Sequence, residues 1–529
     1  MLVHTPSKSL LLRVRPETIA TLQGIFPTHH KMVEYRGEQI IALPHNLQVV
    51  RVLRNMGMKA PSPIRHYYDW PRPARFEKVF DHQITTAEFL TLNPRCFVLN
   101  EMGTSKTASA LWAIDYLMHM GYVKKVLIAS TLSTMRPVWL NECFDVCMHR
   151  SAVVLHGDAD KRRQLLDSGA EINIINHDGL KVMLPDLLKR SDIDLIVVDE
   201  ASVYRNAGTG SYDVLEKLAK GRKLWLMSGA PCPNAPTDAW ALARLVAPSR
   251  VPAHFTQFKR KTMQQVSTYK WVPKPGSHEI AFDAMQPAIR FKKSECLQLP
   301  PLTISNRDVE ITKEQGQAYE QMKQHLVASI GGAQLTAVNA ADGVNKLRQI
   351  LCGAVKDKIT GDYVAINHDK RFQVLTECIE LAAAKTLVIV PFKGITRLLE
   401  EELQAWHDKK KDGKRVKLVN GDVSQKDRDQ IFQDFRDDPS LNELVCHPAV
   451  MAHGLTLTQA DMLVFYAPIY SNDQSMQVMD RINRPGQKRS MTIVRLAANA
   501  LERGIYAMLD TRTQTQENML ALYKKEMGL

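Results

Sequence analysis

Residues 96–117 read CFVLNEMGTSKTASALWAIDYL. An apolar run with strand character, Cys96 to Asn100, passes through a turn of small residues and then a Lys-Thr pair into a segment with the pattern of a helix. A strand, a small-residue turn, Lys-Thr and a helix together make a phosphate cradle. The backbone N–H groups of the turn (Gly103, Thr104 and Ser105) and of the helix start face the anion. In such a cradle Lys106 contacts the β- and γ-phosphates and the Thr107 hydroxyl ligates Mg²⁺. The strict spacing G-x-x-x-x-G-K-[ST] is broken at Asn100 and at Ser105. The second break matters more, because glycine there lets the backbone close on the phosphates. A serine is small and fits if its φ is negative.

Working outward, short apolar runs alternate with amphipathic helical segments from about residue 80 to 250: KKVLIAS, AVVLHG, INIIN, DLIVVDE and KLWLMSG. Continuous β-branched runs between helices predict a parallel sheet covered on both faces. Asp199 and Glu200 end one of these strands, where ligand crevices of parallel sheets lie. There the Asp suits a Mg²⁺ ion and the Glu an attacking water. A pair capping the next helix would look the same in isolation, but the order strand-loop-Lys-Thr and then strand-Asp-Glu favours the first reading. Gln83, about twenty residues before the loop, carries an amide able to pair with adenine N6 and N7.

A second alternating region holds TLVIVPF, RVKLVNG, LVCHP and MLVFYAP, and predicts a second parallel sheet. Beyond it Gln477, Arg481 and Arg484 stand as Q-x-x-x-R-x-x-R, followed by Pro485, Gly486 and Gln487. Two arginines three apart project from one side of a helical turn and can reach one anion. They read either as a solvated basic helix end or as charges that stabilise a phosphoryl-transfer transition state.

Length and charge bound the remainder. The 529 residues suggest several domains, and 69 Lys and Arg against 56 Asp and Glu leave +13, which favours a polyanionic partner, most often nucleic acid. The eight cysteines are dispersed without C-x-x-C; Cys143, Cys147 and His149 lack a second cluster to complete a zinc site. They read as reduced thiols in a cytoplasmic protein. No apolar run reaches membrane-spanning length and no signal peptide is evident, so no membrane partner is expected. The expected domains are a small N-terminal α+β unit (1–70), joined by the Pro-rich linker PSPIRHYYDWPRPARF to a first lobe (71–250). A helical insertion (251–370), a second lobe (371–500) and a C-terminal helical brace (501–529) follow.

From about residue 76 to 520 the chain resembles the Swi/Snf group of superfamily 2 helicase-like ATPases, motif after motif in the family order. Asn100–Thr107 is similar to D-E-M-G-x-G-K-T, and Asp199-Glu-Ala-Ser202 with Arg205-Asn206 to the D-E-A-H block. Met227-Ser-Gly-Ala-Pro231 is similar to L-T-G-T-P, and INHDGL and STLSTMRPVW (Ser130–Trp139) to its DNA-track motifs. LRQILC, HGLTLTQA and QVMDRINRPGQ resemble second-lobe motifs, with phage and prophage flavour in H-P and H-G-L. The resemblance implies an α/β fold of two RecA-like parallel-sheet lobes in tandem. It implies ATP and Mg²⁺ as cofactors, Gln477 and Gln487 near the nucleotide, and Glu200, Lys106, Arg481 and Arg484 as catalytic groups. Ser105, Ser202, Ala230 and Thr456 depart from the family pattern at a Gly, a His, a Thr and an Asn; the groups that chemistry needs remain. The expected activity is an ATP-driven motor on double-stranded or branched DNA, gripped through its backbone and free in the cytoplasm (the host's, for a phage protein). Two rivals fit the same scaffold: an RNA or strand-separating helicase, and a DNA-binding scaffold that does not hydrolyse ATP. The N-terminal unit faintly resembles the substrate-recognition domains of fork-remodelling helicases.

Overall fold

Alternating apolar residues at the start of the chain build a four-stranded antiparallel sheet of β1 (Leu2–His4), β2 (Ser9–Leu12), β3 (Lys31–Tyr35) and β4 (Glu38–Pro44), in the order β1-β2-β4-β3. The computed structural model describes the chain except residues 36–37, 74–77, 230–234, 267–270, 331–336, 357–362, 452–455 and 512–529. Helix α1 (Pro16–Ile25) opens on a proline, whose fixed φ suits a first turn. Helix α2 (Leu47–Asn55) starts where the Asn46 side chain accepts the Val49 N–H. The chain separates into two compact units, Met1–Cys296 and Leu297–Leu529.

The N-terminal sheet is separate from the first lobe's sheet but shares its core. Leu10, Leu12, Ile41, Val50 and Leu53 share one apolar core with Leu90, Val98 and Trp112. The Pro-rich stretch expected to be a linker is a packed strap, containing the short helix α3 (Ile64–Tyr67), laid over α4 (Asp81–Leu92) and α5 (Lys106–His119). Ser62 N–H donates to Glu88, the Tyr68 hydroxyl donates to Asp115 at 2.6 Å, and Trp112 Nε1 donates to the Pro71 carbonyl at 2.8 Å. Trp70 sets its edge on Trp112, with ring centres 5.6 Å apart. Prolines make a chain stiff, not unpacked, and the interleaved aromatics supply the burial that holds the strap down.

The first lobe's sheet uses β5 (Arg95–Val98), β6 (Lys125–Ser130), β7 (Ala152–Leu155), β8 (Ile172–Asn176), β9 (Ile193–Val198) and β10 (Lys223–Met227). After the hairpin β11 (Met263–Gln265) and β12 (Trp271–Pro273), β13 (Ala288–Ile289) completes the order β13-β5-β10-β9-β6-β8-β7, parallel throughout. Cys96 and Val98 enter one core and Phe97 and Leu99 the other, so both faces are covered, as the continuous apolar runs require.

The second unit holds β14 (Leu302–Asp308), the hairpin β15 (Ala354–Lys356) and β16 (Tyr363–Ala365), β17 (Lys385–Ile389), β18 (Arg415–Val419), β19 (Leu441–Cys446), β20 (Ala460–Phe465) and β21 (Met491–Ala497). Its parallel sheet runs β14-β21-β20-β17-β19-β18. Strands β14 and β21 have no counterpart among the expected strands. β14 is polar and mostly exposed at the sheet edge, and β21 carries Arg495 in a buried position, neutralised by Asp510. Helix Ala500–Thr511 packs Leu501, Ile505 and Leu509 inward, and its Glu502 forms a fully buried ion pair with Arg371 of helix Asp369–Leu381. The rest of the expected C-terminal brace lies outside the described residues. The division between the units falls inside 251–370, so that stretch is shared and is not one insertion.

Candidate nucleotide site

The phosphate loop leaves β5 at the carboxyl end of the sheet and enters α5 at Lys106. Gly103 has φ +81°, a conformation glycine adopts freely. Ser105 has φ +55° and ψ +45°, so the expectation of a negative φ there is corrected. The loop needs the left-handed turn that glycine supplies in the strict motif, and a serine is held in it. A non-glycine residue in that region costs roughly 1–2 kcal/mol, and such strain persists where the surroundings over-determine it.

The neighbours of the loop supply that constraint. Asn100 is 1% exposed; its amide donates to Thr86 Oγ1 of α4 at 2.9 Å, and its oxygen accepts the Phe291 N–H at 3.0 Å. The first departure from the motif is thus a clasp that ties the loop to two neighbours. Thr104 Oγ1 donates to the Glu101 carbonyl at 2.8 Å, and Lys106 Nζ donates to the carbonyls of Asn100 and Glu101 at 2.9 and 3.3 Å. His82 Nε2 donates to the Thr104 carbonyl at 3.2 Å; burial lowers the ring's pKa, which suits a neutral donor.

Asp199 and Glu200 follow β9, which is separated from β5 only by β10. Between them, Gly229 after β10 lies so close to the loop that a Cβ would stand 3.2 Å from Met102. The Asp199 carboxylate accepts Trp139 Nε1–H at 3.0 Å and the Glu200 N–H at 3.1 Å. Burial pushes the pKa of Asp199 up, and the nearby Lys106 charge, the Trp139 bond and the Glu200 N–H oppose the rise. Glu200 itself has φ +53°, a second non-glycine residue in the left-handed region at this site. Trp139 is fully buried on the π-helical turn Met135–Leu140. Its sequence context marks it only as part of a DNA-track motif, and nothing in the spacing shows that its indole reaches a carboxylate sixty residues on.

A carboxylate and a hydroxyl, completed by phosphate oxygens and water, are the usual donors for Mg²⁺. Asp199 keeps acceptor capacity beyond its two donors, and Thr107 lies on the first turn of α5, so this donor set fits the ion. Among the described residues no group of three or more His, Cys, Asp or Glu could hold a metal by itself.

Gln83 sits in the first turn of α4, and its Oε1 accepts the Phe80 N–H at 2.9 Å, which fixes the amide at the start of that helix.

In the second unit, helix Asn472–Met479 ends before either arginine. Arg481 and Arg484 lie on the turns beyond it, so the expected shared helical face is corrected. Arg481 is 2% exposed, with Nε donating to the Gln477 carbonyl at 2.8 Å. Arg484 is partly exposed and donates from Nη1 to Thr456 Oγ1 at 3.3 Å. Its Nε is buried with no hydrogen-bond partner among the described residues, and burial lowers its pKa against the pull of Asp480. An under-satisfied guanidinium is a ready receiver for an anion. Gln487, expected at the nucleotide, is 6% exposed and spends its whole amide locally. It donates to the carbonyls of Ala460 and Ile482 and accepts the N–H groups of Lys488 and Arg489. It is a clasp beneath the arginine turn, and the expectation of a nucleotide contact is corrected. Gly454 and Ala230, within two of the family-like motifs, lie outside the described residues.

Among the described residues no helix is long and apolar enough to cross a membrane.

Comparison with known proteins agrees with this layout. A model of the SNF2-related domain matches residues 45–358, and one of the helicase conserved C-terminal domain matches 370–486. The human DNA annealing helicase and endonuclease ZRANB3 is 25% identical over 455 residues, 82% of this chain and 39% of that protein. The ISWI chromatin-remodeling complex ATPase ISW1 of Saccharomyces cerevisiae is 23% identical over 457 residues, 81% of this chain and 39% of its own length. Putative protein p41 of Acyrthosiphon pisum secondary endosymbiont phage 1 is 24% identical over 450 residues, 80% of this chain and 94% of p41. The chain thus spans about two fifths of the length of its ZRANB3 and ISW1 relatives. A solved Sulfolobus solfataricus SWI2/SNF2 ATPase core in complex with dsDNA is 19% identical, with TM-score 0.40, covering 87% of this chain and 96% of that one. The SNF2-related match alone covers more than half of the chain, and the chain belongs to the Swi/Snf-type ATPases of helicase superfamily 2.

Proposed function

We propose that this chain hydrolyses ATP to move along double-stranded DNA, holding the duplex by its backbone. The observation that carries the reading is the set at the carboxyl end of the first sheet: Lys106 on a glycine-type loop, with a half-buried Asp199 close enough to feel its charge. The +13 net charge and the names of the relatives support DNA as the polyanion.

ATP bound at the loop would supply the free energy of its γ-phosphate bond. Lys106 would exchange its two loop carbonyls for phosphate oxygens, Thr107 and Asp199 would hold Mg²⁺, and Gln83 would read the adenine. Glu200 would orient the attacking water. Arg484 would bring its unpaired Nε–H to the charge that builds on the γ-phosphate, with Arg481 and Gln477 shaping its turn. Forks and junctions are finer members of the same substrate class.

Triplex displacement tests translocation directly. ATP-dependent removal of a third strand from a duplex is expected, with neither single-stranded DNA nor RNA supporting equal ATP turnover. Equal or greater turnover on RNA would turn the reading to an RNA helicase.

A further inference from the structure

The last turns of helix Ala337–Leu351, in the second unit, carry Arg348, which is 1% exposed. Its guanidinium carbon lies 4.3 Å from the centre of the Tyr470 ring and 5.0 Å from that of Phe392. Nη2 donates to the Pro468 carbonyl and Nη1 to Asn345 Oδ1 at 3.2 Å, while Nε has no hydrogen-bond partner among the described residues. All of these partners are neutral. Arg371 and Arg495, buried in the same unit, each hold a carboxylate, that of Glu502 and that of Asp510. A buried charge without a counter-ion is costly to desolvate, and packing alone is served better by an apolar side chain of similar volume. What a guanidinium adds is direction: a flat cation that stacks on rings and points its N–H groups at a fixed acceptor.

The acceptor it holds lies where the arginine segment begins. Strand β20 ends at Phe465, and Pro468 to Tyr470 lead to Ser471, whose hydroxyl accepts the Gln474 N–H at 3.3 Å and caps helix Asn472–Met479. Arg481 and Arg484 follow on the turns beyond that helix. Val344, one turn before Arg348, shares a core with Ile469, Val478 and Ile482. Helix Ala337–Leu351 thus fixes the start of the arginine segment through Arg348 and its underside through Val344. We propose that Arg348 is a positioning residue for ATP hydrolysis: by holding Pro468 and Tyr470 it sets where Arg484 stands. The proposal rests on the reading of Arg484 as the group that meets the γ-phosphate, and adds to it a residue outside the arginine turn.

ADP with aluminium fluoride and Mg²⁺ mimics the transferring phosphoryl group, so its binding reads the placement of the arginine apart from nucleotide binding. Affinities of the full chain for this mimic and for ADP, with duplex DNA present, are measured by displacement of a fluorescent ADP analogue. Arg348→Met keeps an apolar stem and removes the guanidinium. It is expected to weaken binding of the mimic about 10–100-fold, as a small misplacement of a catalytic group does, and to leave ADP affinity at the wild-type level. In the Arg484→Ala background it is expected to cost nothing further, because the group it positions is already gone. Phe392→Leu removes one of the two rings and is expected to act in the same direction by a smaller factor; it is read in place of Arg348→Met should that variant not fold. Unchanged affinity for the mimic, an equal loss in the Arg484→Ala background, or a loss shared by ADP overturns the positioning role and leaves the motor reading intact. An Arg484→Ala protein that binds the mimic as tightly as the wild type overturns the reading of Arg484 and the proposal with it.

Discussion

Replacing Ser105 by glycine is the sharpest probe of the phosphate loop. Ser105 occupies the left-handed region at φ +55° and ψ +45°, with no cap bond from its side chain. Removing its Cβ relieves roughly 1–2 kcal/mol. The freer unfolded chain of the glycine variant gives back about 0.4–1 kcal/mol. The balance is a gain of about 0–1.6 kcal/mol, centred on ~0.8, or an upward shift of about 2 °C for a unit of this size. Valine at the same position goes the other way, because a β-branched side chain is still less tolerant of positive φ. A loss of about 1–2 kcal/mol is expected for it, by the same reasoning. Scanning calorimetry of the nucleotide-free full chain reads both shifts. A glycine variant less stable than the wild type, or a valine variant equal to it, would refute the left-handed assignment. The glycine variant is also expected to bind ATP at least as well as the wild type, because the backbone N–H groups keep their directions.

Trp139→Phe removes the indole bond to Asp199; a roughly 10–100-fold loss in activity or Mg²⁺ affinity is expected, seen as a raised Mg²⁺ requirement for ATP turnover, and an unchanged requirement would count against it. Arg484→Ala should cut turnover by about 10³-fold or more while a fluorescent ATP analogue still binds; near-wild-type hydrolysis would exclude the charge-stabilising role. His407 donates to Glu443 and Asp412, both at 2.9 Å; burial disfavours its charged form, but these two bonds outweigh that and raise its pKa. Its contribution to stability is therefore complete below about pH 6.5 and is lost as pH rises through the raised value. His407→Gln should flatten that dependence in urea titrations run across the neutral range, and an unaltered slope would contradict the assignment.

Much of this architecture is legible in residue patterns, and the failures have physical causes. Strands such as DLIVVDE and MLVFYAP are buried on both faces, so their apolar runs are unbroken and easily seen. Strand β14 is polar because it lies at an edge, and β21 conceals a charge by pairing Arg495 with Asp510, a partner that spacing does not reveal. The strap at 61–71 misleads because prolines suggest a linker, whereas Tyr68 and Trp70 pack on each other and on Asp115 and Trp112 of the folded lobe. At the site, Lys106, Thr107, Asp199 and Glu200 stand out because their chemistry fixes their order. The φ of Ser105, the indole beneath Asp199 and the inward turn of Gln487 do not. Each depends on where a backbone or side chain points, and sequence spacing leaves that open.

Phosphate release from ATP, measured with and without duplex DNA for the wild type and for Lys106→Ala, tests the proposed motor most directly. Hydrolysis is expected to rise on duplex DNA in the wild type and to be absent from Lys106→Ala under both conditions. Wild-type hydrolysis indifferent to DNA, or a Lys106→Ala protein that still turns over ATP, would contradict a DNA-driven ATPase built on this loop.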